Sequence, residues 1–208
     1  MKIKGAIFDL DGTLIDSMGE WASLPKKYMM LKGLSYTDSI NQILYSMSLT
    51  KAAEYLQREF GITDSRERII SDFIEIVKPF YLNEAEIKPG ALEFLKMLRA
   101  DGVKMCIATA TDVKLAEAAL KRNGIYGYFG EIFTCEGVGK GKNSPEIFNA
   151  AHSFLGTDKE FTWVFEDSSH AAATAKRAGF KVCGVADRYS DGKIKEFCDL
   201  YINSFDEI

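Results

Sequence analysis

Short apolar, β-rich runs that each close on small or acidic residues recur along this chain at residues 3–9, 103–109, 162–167 and 181–185, with weaker runs at 131–134 and 200–202. Helical patterns lie between them. Residues 91–100 (ALEFLKMLRA) carry apolar side chains at helical spacing and stop at Asp101-Gly102. Asp112 is placed to cap a helix over 113–123 that Gly124 ends, and Pro145 can open another at its first turn. Ser168 or Ser169 can cap 171–178 ahead of Gly179. Strands alternating with helices of this length predict an α/β fold with a Rossmann-like, doubly wound parallel sheet covered on both faces. Such sheets receive ligands at the carboxyl ends of their strands, which makes the residues just after each run the ones to read for function.

One stretch breaks the alternation. Residues 17–83 hold no convincing strand but several helical patterns, among them 49–60 (LTKAAEYLQREF) and 67–77 (ERIISDFIEIV). They predict an all-helical cap domain, 17–83, inserted into a core domain made of residues 1–16 and 84–208, with hinges near 16–19 and 83–89. A plain packing layer would have the same pattern; a lid over the strand ends is the reading favoured by where the insertion interrupts the chain. The total of 208 residues accommodates one compact α/β domain plus such an insertion.

The net charge of −4 argues against a nucleic-acid-binding surface, which needs clustered Lys and Arg. A small anionic substrate stays open, because a bound divalent cation can invert the local field. The four cysteines (Cys106, Cys135, Cys183 and Cys198) form no CxxC pair and only two His exist, which argues against a zinc site. Cys106 and Cys183 sit in apolar runs and read as core thiols of a reducing compartment. No signal-peptide apolar stretch follows Met1, and no segment reaches the roughly 18 apolar residues of a membrane span. The expectation is a soluble, cytoplasmic protein without a membrane partner; the sequence leaves its oligomeric state open.

The first run ends Phe8-Asp9-Leu10-Asp11-Gly12-Thr13-Leu14. Side chains alternate along a strand, so Asp9 and Asp11 lean the same way until it ends. Carboxylates that close repel unless a cation lies between them or one is protonated. Gly12 permits a sharp turn, and the Thr13 hydroxyl can brace a carboxylate. A solvated acidic turn would use the same residues. A calcium loop would need further oxygen ligands downstream and a helix before it, and neither is present. The run 162–167 ends in Glu166 and Asp167, two adjacent acids that are costly to bury unless a cation or hydrogen-bond donors receive them.

With residues 9–17 (DLDGTLIDS), Thr109-Ala110-Thr111, Lys142 and the Glu166-Asp167 pair in this order at strand ends, the chain resembles the haloacid dehalogenase superfamily, in particular its helical-cap phosphatases and β-phosphoglucomutase-like proteins. The resemblance spans essentially the whole chain. It implies that Asp9 is a nucleophile toward phosphorus and Asp11 the general acid and base. Thr109 and the backbone of Ala110 would bind the phosphate, where many relatives carry Asn at the Ala110 position; a helix-capping role for Thr109 is the plain alternative. Lys142 would neutralise charge on Asp9 and the phosphate, with Lys140 close by; the family often continues Lys-Pro-x-Pro, and here Asn143 stands in place of the first proline while Pro145 keeps the second. Asp167 would bind magnesium together with Asp9 and the carbonyl of Asp11, not that of Leu10. Glu166 would act through water or by orienting Lys142, and Thr13 from behind the ligands.

The implied substrate is a small phosphorylated metabolite, of the sugar, polyol or glycolate phosphate class. A phosphomutase would use the same core, yet mutase relatives tend to carry a His just after the hinge, where this chain reads Ser17-Met18-Gly19-Glu20-Trp21. A non-catalytic phosphometabolite-binding protein is the third reading, disfavoured by the retained acids and Lys142. His170 reads as a first-turn residue without chemical duty, His152 as structural, and Trp21 with Tyr28-Met29-Met30-Leu31 as helix packing of which one face could line a cavity. Residues 46–49 are a specificity candidate.

Overall fold

The computed structural model describes residues 2–45 and 47–208, in two compact units: Met1–Ser17 with Ala85–Ile208, and Met18–Glu84. In the first, six strands form one sheet: β1 (Gly5–Phe8), β2 (Lys104–Thr109), β3 (Ile132–Thr134), β4 (Thr162–Glu166), β5 (Lys181–Val185) and β6 (Leu200–Ile202). Their order is β3-β2-β1-β4-β5-β6 and every pairing is parallel, the doubly wound arrangement expected. The middle strands β1 and β4 are buried at every position, which is why they read as unbroken apolar runs and not as alternating ones.

One face of the sheet is aromatic. Phe8 stacks on Phe165 with ring centroids 4.4 Å apart, and Phe94 meets Phe165 and Phe205 at 5.4 Å each. On the other, Ile7, Cys106, Ala108, Val164 and Val182 meet Phe148 and the alanines Ala171, Ala172 and Ala175. Cys106 and Cys183 are fully buried, and burial pushes the Cys183 thiol up to about 12, so both are core thiols. His152 is structural too: its Nε2 lies 2.7 Å from the Thr157 carbonyl and its ring meets Phe180 edge-on.

The second unit is helical: α1 (Met18–Leu31), α2 (Asp38–Tyr45), α3 (Leu49–Phe60) and α4 (Arg66–Asn83). Tyr28 sits edge-on to Phe73 at 4.7 Å, and Trp21 Nε1 donates to Tyr81 Oη at 2.7 Å. The packing expected of residues 28–31 holds only in part. Tyr28 and Met29 are buried, but Met30 and Leu31 are each 65% exposed, because each step of a helix turns the side chain by about 100°. Within the 46–49 candidate, Ser46 lies outside the described residues. α4 continues past Val77 through Pro79 to Asn83, whose side chain donates to the Pro79 carbonyl at 2.9 Å. No helix among the described residues is long and apolar enough to cross a membrane.

The helices of the first unit are α5 (Ala91–Ala100), α6 (Val113–Arg122), α7 (Cys135–Val138), α8 (Glu146–Leu155) and α9 (Ser169–Arg177). Asp112 caps α6, accepting from the Lys114 and Leu115 N–H groups. Two start signals are corrected. Pro145 stands one residue outside α8, and Ser168, at the cap position of α9, makes no side-chain cap bond because its hydroxyl pairs with His170 Nδ1 at 2.7 Å. Gly90 opens α5 at φ 75°, and a Cβ there would lie 2.5 Å from the Asp206 backbone nitrogen. Strain and overlap together predict that Gly90→Ala lowers stability by about 1–3 kcal/mol, read from urea unfolding midpoints.

Candidate active site

β1, β2 and β4 lie side by side, and the residues that follow β1 and β4 converge. Asp9 directly follows β1, its N–H still donating to the Phe165 carbonyl at 3.0 Å. Lys142, in the loop before α8, donates from Nζ to Asp9 Oδ1 and, at 2.6 Å, to Glu166 Oε1. Glu166 Oε2 accepts the Ser168 N–H at 2.9 Å, so both oxygens of this acid have donors. Asp167 accepts from Thr13 Oγ1 at 3.2 Å. Lys142 is thus the lysine that reaches Asp9; Lys140 is exposed. His170 is exposed and pairs with Ser168.

One oxygen each from Asp9, Glu166 and Asp167 lies within 4.8 Å of the others, and all three residues are buried. Three carboxylates face one ammonium. The imbalance shows in their acidities: burial pushes Asp9 up to about 6, with Lys142 opposing and Glu166 adding to the rise. Burial likewise raises Asp167 well above the usual range, with Glu166 and Asp9 reinforcing it. Burial pulls Lys142 the other way, but Asp9 and Glu166 together hold it firmly protonated. A buried oxygen cluster short of positive charge fits a hard divalent cation.

Asp11 has a separate setting. Its carboxylate accepts from Ser17 Oγ at 2.6 Å and from Thr111 Oγ1. β1 stops at Phe8 and Gly12 turns at φ 80°, so the shared lean of Asp9 and Asp11 expected from strand alternation does not bring the Asp11 carboxylate into the cluster. The Leu10 carbonyl accepts the Leu14 and Ile15 N–H groups at 2.9 Å each. Thr109 ends β2, buried, its Oγ1 accepting the Thr111 N–H at 3.0 Å, and exposed Ala110 follows it. Sequence reasoning quoted Ser17 and Thr111 within motifs without giving them a task. The signal was available, since each is a hydroxyl residue in a strand-end loop beside an acid or a phosphate-binding candidate.

Residues 6–185 match the model of the haloacid dehalogenase-like hydrolases. The chain belongs to this family. This hydrolase is 27% identical over 192 residues to the phosphorylated carbohydrates phosphatase of Thermotoga maritima, covering 92% of this chain and 89% of that protein. It is 26% identical to hexitol phosphatase A of Escherichia coli, covering 100% and 94%. Among solved structures, a Thermotoga maritima protein assigned as a β-phosphoglucomutase superposes with a TM-score of 0.79 at 26% identity, over 96% of this chain and 94% of that one.

Proposed function

We propose that this hydrolase is a magnesium-dependent phosphatase of small phosphate monoesters, working through an aspartyl-phosphate on Asp9. The observation that carries the reading is the division of labour between two neighbouring acids: Asp9 is clamped by Lys142 inside the carboxylate cluster, while Asp11 is held apart by hydroxyls.

Asp9 attacks phosphorus through a carboxylate oxygen, and the ester P–O bond breaks as Asp11 protonates the departing alkoxide. Asp11 then takes a proton from water, whose oxygen attacks phosphorus; the bond to Asp9 breaks and inorganic phosphate leaves. Thr109 Oγ1 and the Ala110 N–H hold phosphate oxygens. Lys142 offsets charge on Asp9 and the phosphate, and Glu166 holds the Lys142 ammonium in place. Asp9, Asp167 and the Asp11 carbonyl would hold magnesium, with Thr13 bracing Asp167, and the ion would supply charge that offsets the repulsion between carboxylate and phosphate.

The substrate class is a sugar, polyol or glycolate phosphate, supported by relatives that act on phosphorylated carbohydrates and on a hexitol phosphate. Residues 17–83 form the cap domain in this reading. A mutase is the second reading, favoured by the structural likeness to the protein assigned as a β-phosphoglucomutase and opposed by the absence of His from residues 17–21. The test is phosphate release from p-nitrophenyl phosphate and a panel of sugar, polyol and glycolate phosphates, with magnesium and with EDTA. Magnesium-dependent release is the expected result; activity only with added sugar bisphosphate would transfer the assignment to the mutase.

Proton and cation compete for Asp9. Because Asp9 is raised from 3.8 to about 6, its contribution to the stability of the metal-free fold is fully present below about pH 4 and is lost as pH rises through about 6. Magnesium needs the ionised form, so its contribution runs the opposite way. Magnesium is expected to raise the melting temperature by several degrees near pH 7.5 and hardly at all near pH 5. An equal rise at both values would contradict the placement of the cation on Asp9.

A further inference from the structure

The loop that follows β5 is fastened to the loop that follows β4. Ser190 Oγ donates to the backbone carbonyl of Asp167 at 3.0 Å. Ser169 Oγ donates to Asp191 Oδ2 at 2.7 Å, and Asp191 Oδ1 accepts the Lys193 N–H at 3.0 Å. The root of the loop is pinned as well. Lys88 Nζ donates to the Ala186 carbonyl and to Asp187 Oδ2, both at 2.8 Å, and the Asp187 side chain is 2% exposed. Residues 186–193 therefore make a strap pinned at its root, whose middle grips the residues on either side of Ser168.

The grip falls at a helix start without a side-chain cap bond. A helix start is ordinarily braced by a side chain at its cap position, and α9 lacks that brace because the Ser168 hydroxyl is turned to His170. Asp167 lies one residue before that cap. Its carboxylate is braced by Thr13, but the direction in which that carboxylate leaves the chain depends on the peptide, and the peptide is held by Ser190.

We propose that Ser190, Ser169 and Asp191 are positioning residues for the cation: the strap fixes the Asp167 backbone so that its carboxylate stays beside those of Asp9 and Glu166. The proposal rests on the magnesium reading above. Outer contacts of this kind typically change metal affinity by about 10- to 100-fold when removed.

The test is a magnesium titration followed by melting temperature, on the full chain and on Ser190→Ala, Asp191→Ala, Ser190→Thr and Asp191→Asn. Both alanine variants are expected to need about tenfold more magnesium for the same rise in melting temperature. Ser190→Thr keeps the donor and Asp191→Asn keeps an acceptor, so both respond close to the wild type. Activity of the alanine variants recovers as magnesium saturates. A merely structural strap would lower the metal-free melting temperature without changing the rise that a given magnesium concentration produces. Folded alanine variants with the wild-type magnesium response overturn the proposal and leave the phosphatase reading intact. A wild type whose melting temperature ignores magnesium overturns both. Should Ser190→Ala not fold, Asp191→Ala and Ser169→Ala decide.

Discussion

Asp9→Asn is expected to reduce phosphate release by at least about 10⁴-fold, the scale seen when a covalent nucleophile is removed. The amide keeps the shape and can still accept from Lys142, so the fold survives. It also ends a repulsion. In the metal-free protein burial, reinforced by Glu166 and opposed by Lys142, pushes Asp9 up to about 6. Near neutral pH the variant without magnesium should therefore be more stable than the wild type, by roughly 1–3 kcal/mol. Loss of activity with a gain in metal-free stability is the signature of a group kept for chemistry at the expense of the fold. Urea unfolding in EDTA, beside phosphate assays in magnesium, reads both effects.

Lys142→Met should act in the opposite direction on stability. The ammonium is buried between Asp9 and Glu166, and its removal leaves two buried carboxylates without their shared partner. Breaking such a pair from one side costs about 3–5 kcal/mol. Activity should fall about 10²–10³-fold, as when one fixed donor to a developing charge is lost. Magnesium should recover part of the stability and little of the activity, since it supplies charge but not the Lys142 hydrogen bonds to Asp9 and Glu166. Lys140→Met, by contrast, removes an exposed side chain and should change stability by less than about 0.5 kcal/mol.

The fold was legible because its central strands are buried on both faces and its helices carry clear stop residues. The runs at 181–185 and 200–202 coincide with β5 and β6, and 91–100 with α5. The cluster was legible for a different reason: acids at the ends of apolar strands have few physical explanations, and Asp9, Glu166 and Asp167 do converge. The departures came from interactions with no periodicity. Nothing in the spacing shows that Ser168 would turn its hydroxyl to His170 and forgo capping α9, nor that Ser190, 23 residues after Asp167, would hold its carbonyl. Likewise the parting of Asp9 and Asp11 depends on where β1 stops, and propensity locates strand ends poorly. Long-range contacts of single polar groups are set by tertiary packing, which sequence pattern does not encode position by position.

The central claim is that the phosphoryl group rests on Asp9. A single turnover with excess enzyme and magnesium, quenched in acid and reduced with borohydride, converts an acyl phosphate to homoserine. Peptide mass spectrometry then locates the change. Homoserine at position 9, absent without substrate and absent in Asp9→Asn, is the predicted result. Phosphate release at full rate with aspartate unchanged at position 9, or with the reduced residue elsewhere, would contradict the account.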